Sequence, residues 1–223
     1  MVERVELKTQ DNVAIVCDYY PPAAPVAKGL LLFHMMPATR TSWRAFAAKA
    51  QQAGWHVLAI DLRGHGESQG GPDGYKRFSD AEHQASKLDA EAGAEFLKST
   101  LRESSGQEGL FVLGGASIGA NLALQYLSEH PEAKAAFLLS PGLDYRGVTT
   151  EPAARDLKPG QAVYYVASRD DQHSAETIQR LSEVTPAGVE KKIKFFEAAG
   201  HGTTIFEREP YFMDEIVSWL ESI

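Results

Sequence analysis

The chain predicts an α/β protein: a mostly parallel sheet of about eight strands, antiparallel at its N-terminal edge and covered by helices on both faces. Three observations predict it. Short apolar runs such as Leu30-Leu31-Leu32-Phe33 and Val57-Leu58-Ala59-Ile60 read as strands buried on both faces, and they alternate with helical patterns. The first twenty residues instead alternate polar and apolar around Thr9-Gln10-Asp11-Asn12, as a hairpin does. One apolar run, Leu110-Phe111-Val112-Leu113, passes through a small-residue turn directly into a helical pattern, Leu122 to Leu127.

Each element has a local reason. Residues 2–7 and 12–20 form the hairpin, and Pro21-Pro22 ends it. Residues 29–33 and 55–60 are buried strands, joined by a helix over residues 43–54 with Gly54 as its C-cap. Ser79-Asp80-Ala81-Glu82 is a capping box. It opens a helix whose apolar positions are Ala81, Ala85, Leu88, Ala92 and Phe96. Residues 135–139, 161–167 and 191–196 are three further strands, with a helix over 174–184 between the last two. Pro210 starts a final helix with the stripe Met213, Ile216, Val217 and Leu220. No repeat or interdomain linker interrupts the pattern, so residues 1–223 are expected to form a single domain.

Composition narrows the function. The chain carries 22 Lys and Arg against 30 Asp and Glu, a net charge of −8, and shows no basic cluster; a nucleic-acid surface is not expected. Cys17 is the one cysteine, so no disulfide forms within the chain, which fits a reducing cytoplasm. The first residues lack the apolar stretch of a secretory signal, and the longest apolar run is too short to span a membrane. No H-E-x-x-H or paired-cysteine spacing occurs, so neither a metal nor another cofactor is expected.

Chemistry concentrates at Gly115-Ala116-Ser117-Ile118-Gly119. A G-x-S-x-G turn between a strand and a helix is a nucleophile elbow, which lifts a serine hydroxyl above the sheet beside the positive end of the next helix. A serine alcohol needs a base, and the base needs an orienting group. Of seven histidines, His56 is expected to pack, His83 and His130 to be solvated, and His173 to sit in an Asp-rich loop. His201, in Gly200-His201-Gly202 after the last strand, shares the sheet edge of Ser117 and is the candidate base. The acid comes from the end of another strand, where Ser168-Arg169-Asp170-Asp171 offers two carboxylates. Asp171 is favoured, and Asp170 remains the alternative.

The order Ser117, Asp171, His201 resembles that of the α/β-hydrolase superfamily, and the resemblance covers nearly the whole chain. Asp61-Leu62-Arg63-Gly64-His65-Gly66-Glu67-Ser68 is similar to a D-x-R-G-x-G-x-S stretch common there, which shapes a loop. An oxyanion hole then takes one donor from the backbone of Ile118 and a second from His34-Met35-Met36-Pro37. By position that donor is Met36, since Pro37 has no N–H. Many relatives have His-Gly where this chain has His34-Met35. Met35 lines an apolar acyl pocket in one reading and is simply packed in the other.

Residues 140–160 leave room for a turn or a short helix but no large lid, so an open, shallow site is expected. Leu143 and Tyr145 in this segment are candidates for touching substrate, with surface packing as the alternative. The resemblance implies a compact esterase, thioesterase or dienelactone-hydrolase-like enzyme acting on a small-molecule ester or thioester. Acyl transfer, peptidase, C–C hydrolase or perhydrolase chemistry would use the same residues. A non-catalytic ligand-binding protein is the reading from another class.

Overall fold

The structure, a computed structural model, describes residues 1–106 and 108–223. In chain order the strands are β1 (Glu3–Lys8), β2 (Ala14–Tyr20), β3 (Lys28–Phe33), β4 (His56–Ile60), β5 (Leu110–Ala116), β6 (Ala133–Leu139), β7 (Asp144–Tyr145), β8 (Val148–Thr149), β9 (Ala162–Ser168) and β10 (Glu190–Phe196). The helices are α1 (Arg44–Gln52), α2 (Asp80–Gln84), α3 (Lys87–Ser105), α4 (Ile118–Glu129), α5 (Glu151–Arg155), α6 (Gln172–Val184), α7 (Thr204–Arg208) and α8 (Phe212–Leu220).

Eight strands form one sheet in the order β1-β2-β4-β3-β5-β6-β9-β10. β1 pairs antiparallel with β2, and β2 antiparallel with β4; all other pairings are parallel. This is the α/β-hydrolase fold. The strand order reverses direction at β3 and β5, and parallel strands end at one edge, so the loops after β3, β5, β9 and β10 gather there.

Alternation along the strands divides the apolar side chains between two layers. Phe111 and Leu113 of β5 join Leu31, Phe33, Leu97, Leu124 and Leu138 on one side. Val112 joins Leu30, Leu32, Trp43, Phe46, Phe137 and Ile216 on the other. Aromatic edges close the second layer: Trp43, Phe46, Phe137 and Phe206 meet with centroids 5.2–6.0 Å apart.

Three expectations are corrected. The helix opened by Ser79 is two helices, α2 and α3, broken at Ala85 and Ser86, although its capping box is present. Its buried face is not the 81/85/88/92/96 stripe but Asp89, Ala90, Gly93, Ala94, Leu97 and Leu101. The face is rotated because Asp89 is wholly buried as the partner of Arg63, accepting from its guanidinium and its N–H at 2.9 and 2.8 Å. His83, expected in solvent, is buried with its ring 5.5 Å from Phe78. Its ring also meets the Tyr75 backbone, in the segment that precedes α2.

Candidate active site

The elbow follows from backbone crowding. β5 leads directly into α4 with Ser117 between them at φ 56°, ψ −123°, a conformation L-residues avoid at a cost of about 1–3 kcal/mol. A Cβ on Gly115 would strike the Gly119 carbonyl, and one on Gly119 would strike that of Phe33. Only glycine lets the helix approach the strands this closely. The Ala120 and Asn121 N–H groups donate to the Ser117 carbonyl at 2.8 and 3.1 Å. The N–H of Ile118, in the first turn of α4, is among the donors a helix start leaves without an intrahelical partner.

The turn after β10 brings His201 to the same edge. Its Nδ1 lies 2.6 Å from Oδ2 of Asp171, at the N-terminus of α6. Asp170 turns elsewhere, accepting from the Gly200 N–H at 3.0 Å and the Arg208 guanidinium at 3.2 Å. Burial alone would raise the Asp171 carboxyl, but hydrogen bonds from His201 and Ser174 outweigh it and hold it below the usual range. The imidazole side chain is 37% exposed and the carboxylate 16%, so the pair is open to water on the histidine side.

Two serines fix this turn. Ser140 accepts from the Gly202 N–H at 2.9 Å, and Ser168 accepts from the Ala199 N–H at 2.7 Å. Both are buried strand-end residues. A Cβ on Gly202 would lie 3.5 Å from the Ala116 side chain, which places the turn carrying His201 close to the residue before Ser117.

The loop after β3 is held through His34. Its Nε2 accepts from the Leu62 N–H at 3.0 Å, and its Nδ1–H donates to the Met35 carbonyl at 2.9 Å. Both ring nitrogens are therefore committed to the neutral form. Burial, with His65 edge-on at 4.8 Å, lowers the ring's pKa to about 3. In a planar trans peptide the C=O and N–H point opposite ways, so holding the Met35 carbonyl on His34 turns the Met36 N–H away from it. The Met36 side chain packs on the core, and that of Met35 reaches Gly202 and Thr203. The D-x-R-G-x-G-x-S stretch braces this loop: the buried Asp61 carboxylate accepts from the Arg40 and Glu67 N–H groups, at 2.7 and 2.9 Å, and from the Arg40 guanidinium.

Residues 140–160 hold a hairpin, β7–β8, and the helix α5. The hairpin turns on Arg146 and Gly147, both at positive φ, as a two-residue loop requires. It is tied to α4 by two amides. Asn121 donates to the Val148 carbonyl at 2.7 Å and accepts from the Gly142 N–H at 3.0 Å; Gln125 donates to the Thr149 carbonyl at 2.9 Å. Asn121 is fully buried one turn after Ser117. A buried amide in an otherwise apolar helix face is a signal the sequence held and pattern reading missed.

The hairpin carries Tyr145 into the site. Its hydroxyl lies 3.4 Å from that of Ser174 and beside the Ser117 side chain. Its ring stands edge-on to His201 at 6.3 Å. Leu143, at the base of the hairpin, is 39% exposed. Of the remaining histidines, His56 is buried with its Nδ1 2.6 Å from the Tyr19 hydroxyl, and His130 stacks on Tyr126 at 3.9 Å. Among the described residues no cluster of three or more His, Cys, Asp or Glu side chains is arranged to hold a metal. Nor is any described helix long and apolar enough to cross a membrane.

The reversed strand order, the strained serine between strand and helix and the histidine turn on the same edge are together the frame of a hydrolase fold. Residues 29–192 match the family model described as alpha/beta hydrolase fold, and the chain belongs to that family. An esterase of Pyrococcus furiosus is similar in structure, with a TM-score of 0.82 at 19% identity, over 100% of this chain and 92% of the other. A dienelactone hydrolase from Anabaena variabilis follows at 0.76 and 20%, over 98% and 94%. An esterase from Exiguobacterium antarcticum gives 0.74 and 15%, over 97% and 99%. No curated protein matches the sequence significantly.

Proposed function

We propose that the chain is a serine hydrolase that cleaves small to medium carboxylic esters or thioesters through an acyl-enzyme on Ser117. The observation that carries this reading is the strained Ser117 at the strand–helix elbow, with a His201 paired with Asp171 at 2.6 Å on the turn that follows β10 at the same sheet edge. The esterases and dienelactone hydrolase that share the fold make a carbonyl ester the first substrate to test.

In this mechanism His201 Nε2 takes the Ser117 proton as Oγ attacks the carbonyl carbon. Asp171 holds Nδ1–H, keeps the ring in the tautomer that accepts at Nε2, and stabilises the imidazolium. The Met36 and Ile118 N–H groups receive the oxyanion. The imidazolium then protonates the leaving oxygen or sulfur, and the C–O or C–S bond breaks. Water attacks the acyl-enzyme by the same route, returning the proton to Ser117 and releasing the acid. Met35 and Leu143 supply apolar surface to the acyl group. We take residues 1–223 as one domain without a lid, working on dissolved rather than membrane-bound substrate.

The test is covalent labelling with a fluorophosphonate, followed by turnover of p-nitrophenyl esters of increasing acyl length. Labelling located at Ser117 by mass spectrometry, with turnover of acetyl to hexanoyl esters, is expected. Failure to label, or labelling elsewhere, refutes the reading.

A further inference from the structure

We propose that Tyr145 is a substrate-contacting residue on the leaving-group side of the site, where its hydroxyl donates a hydrogen bond to the departing oxygen; this rests on the serine-hydrolase reading above. The argument starts from what the mechanism demands of position. A leaving group must lie beside Ser117 Oγ, because both are bonded to the same tetrahedral carbon. It must also lie within reach of His201 Nε2, because that nitrogen protonates it. A side chain that meets both residues therefore borders the leaving group. Tyr145 does: its hydroxyl lies beside the Ser117 side chain, and its ring is edge-on to His201 at 6.3 Å.

The phenol belongs to a hydrogen-bonded circuit. Ser174 Oγ lies 3.4 Å from the Tyr145 hydroxyl, and the Ser174 hydroxyl also bonds Asp171. Asp171 thus holds His201 directly and is linked to Tyr145 through Ser174. With Ser174 donating to Asp171, its oxygen is left as an acceptor, and the Tyr145 proton is free to swing between Ser174 Oγ and the reacting oxygens. No proton is transferred by tyrosine in this scheme; the phenol only donates a hydrogen bond, while His201 supplies the proton.

The fold builds this position deliberately. A Cβ at residue 142 would lie 2.6 Å from Tyr145 Cζ, so the ring rests directly on the Gly142 backbone. The Gly142 N–H is gripped by Asn121 and its carbonyl by the Thr150 hydroxyl at 2.7 Å. The bed of the ring is therefore anchored to the same helix that begins at the nucleophile.

The experiment measures kcat/KM for a series of butyrate esters whose leaving groups run from p-nitrophenol to ethanol. A good leaving group departs with little help, and a poor one needs the hydrogen bond. Tyr145→Phe keeps the ring and removes the donor. It should lower kcat/KM for ethyl butyrate about tenfold, the upper range for one lost hydrogen bond, and for p-nitrophenyl butyrate less than about threefold. The dependence on leaving-group pKa therefore steepens. Gly142→Ala keeps the tyrosine but displaces its ring, and should steepen the same plot. Relative rates along an acyl series with one common leaving group should not change in Tyr145→Phe. Equal losses across the leaving groups, or an unaltered slope, would overturn the assignment while leaving the serine hydrolase intact. A wild-type chain that neither labels with fluorophosphonate nor turns over any ester overturns both.

Discussion

His201 Nδ1 lies 2.6 Å from Asp171 Oδ2, while the adjacent Asp170 is bonded to Gly200 and Arg208 instead. One residue of register separates an aspartate that can orient an imidazole from one that braces the turn carrying it. Asp171→Asn should cut kcat by about 10⁴, since an amide favours the wrong tautomer. Asp170→Asn should cost less than about tenfold in kcat and lower thermal stability slightly. Steady-state kinetics on the two purified variants checks this, and the reverse ranking would reassign the acid.

Ser117 separates chemistry from strain. Ser117→Ala should remove turnover by about 10⁶ in kcat while the protein remains folded. Ser117→Gly removes the same hydroxyl and also relieves the positive φ of 56°. It should raise stability by about 1 kcal/mol, read from urea unfolding. A Gly variant less stable than the Ala variant would contradict the strain.

Asn121 is expected to matter through the hairpin. Asn121→Ala leaves the Gly142 N–H and the Val148 carbonyl without their partner, at a cost of about 2–4 kcal/mol for two buried groups. Activity should fall together with stability, because the bed of Tyr145 loosens. Hydrogen exchange should show faster opening over residues 141–150 than in the wild type, and an unchanged rate there would refute the coupling.

Mild acid should destabilise the fold through its buried histidines. Burial lowers the pKa of His34 to about 3, and burial also lowers His65 and His83. In the unfolded chain each binds a proton near pH 6.5, which the folded state refuses. Below that pH the unfolded state holds more protons, so stability falls as pH falls, by up to about 1.4 kcal/mol per pH unit for His34, with His65 and His83 acting in the same direction. Asp89 works against this: burial lifts its carboxyl to about 6, so the folded state takes up one proton first. The net expectation between pH 6.5 and 5 is a loss of stability, measured by urea unfolding at each pH. A flat profile over that range would show that the histidines are not buried as described.

What the sequence by itself determined was written in short-range pattern. Strand runs, the capping box at Ser79 and Glu82, and the elbow around Ser117 are set by neighbours a few residues apart, and local sterics suffice to read them. The order of the chemistry-bearing residues along the chain was legible for the same reason, since parallel strands deliver their ends to one edge. What only the tertiary structure decided involves partners far apart in the chain. The buried face of α3 turned on Asp89 meeting Arg63, which no apolar period reveals. Which of Asp170 and Asp171 meets His201 depended on where Arg208 and Gly200 come to rest. The sequence left Tyr145 between touching substrate and packing on the surface, because nothing within the segment 140–160 records that Asn121 and Gln125 hold its hairpin against α4. Hydrogen bonds of long sequence separation form only once the chain has closed, and it is they that set which side chains face the serine.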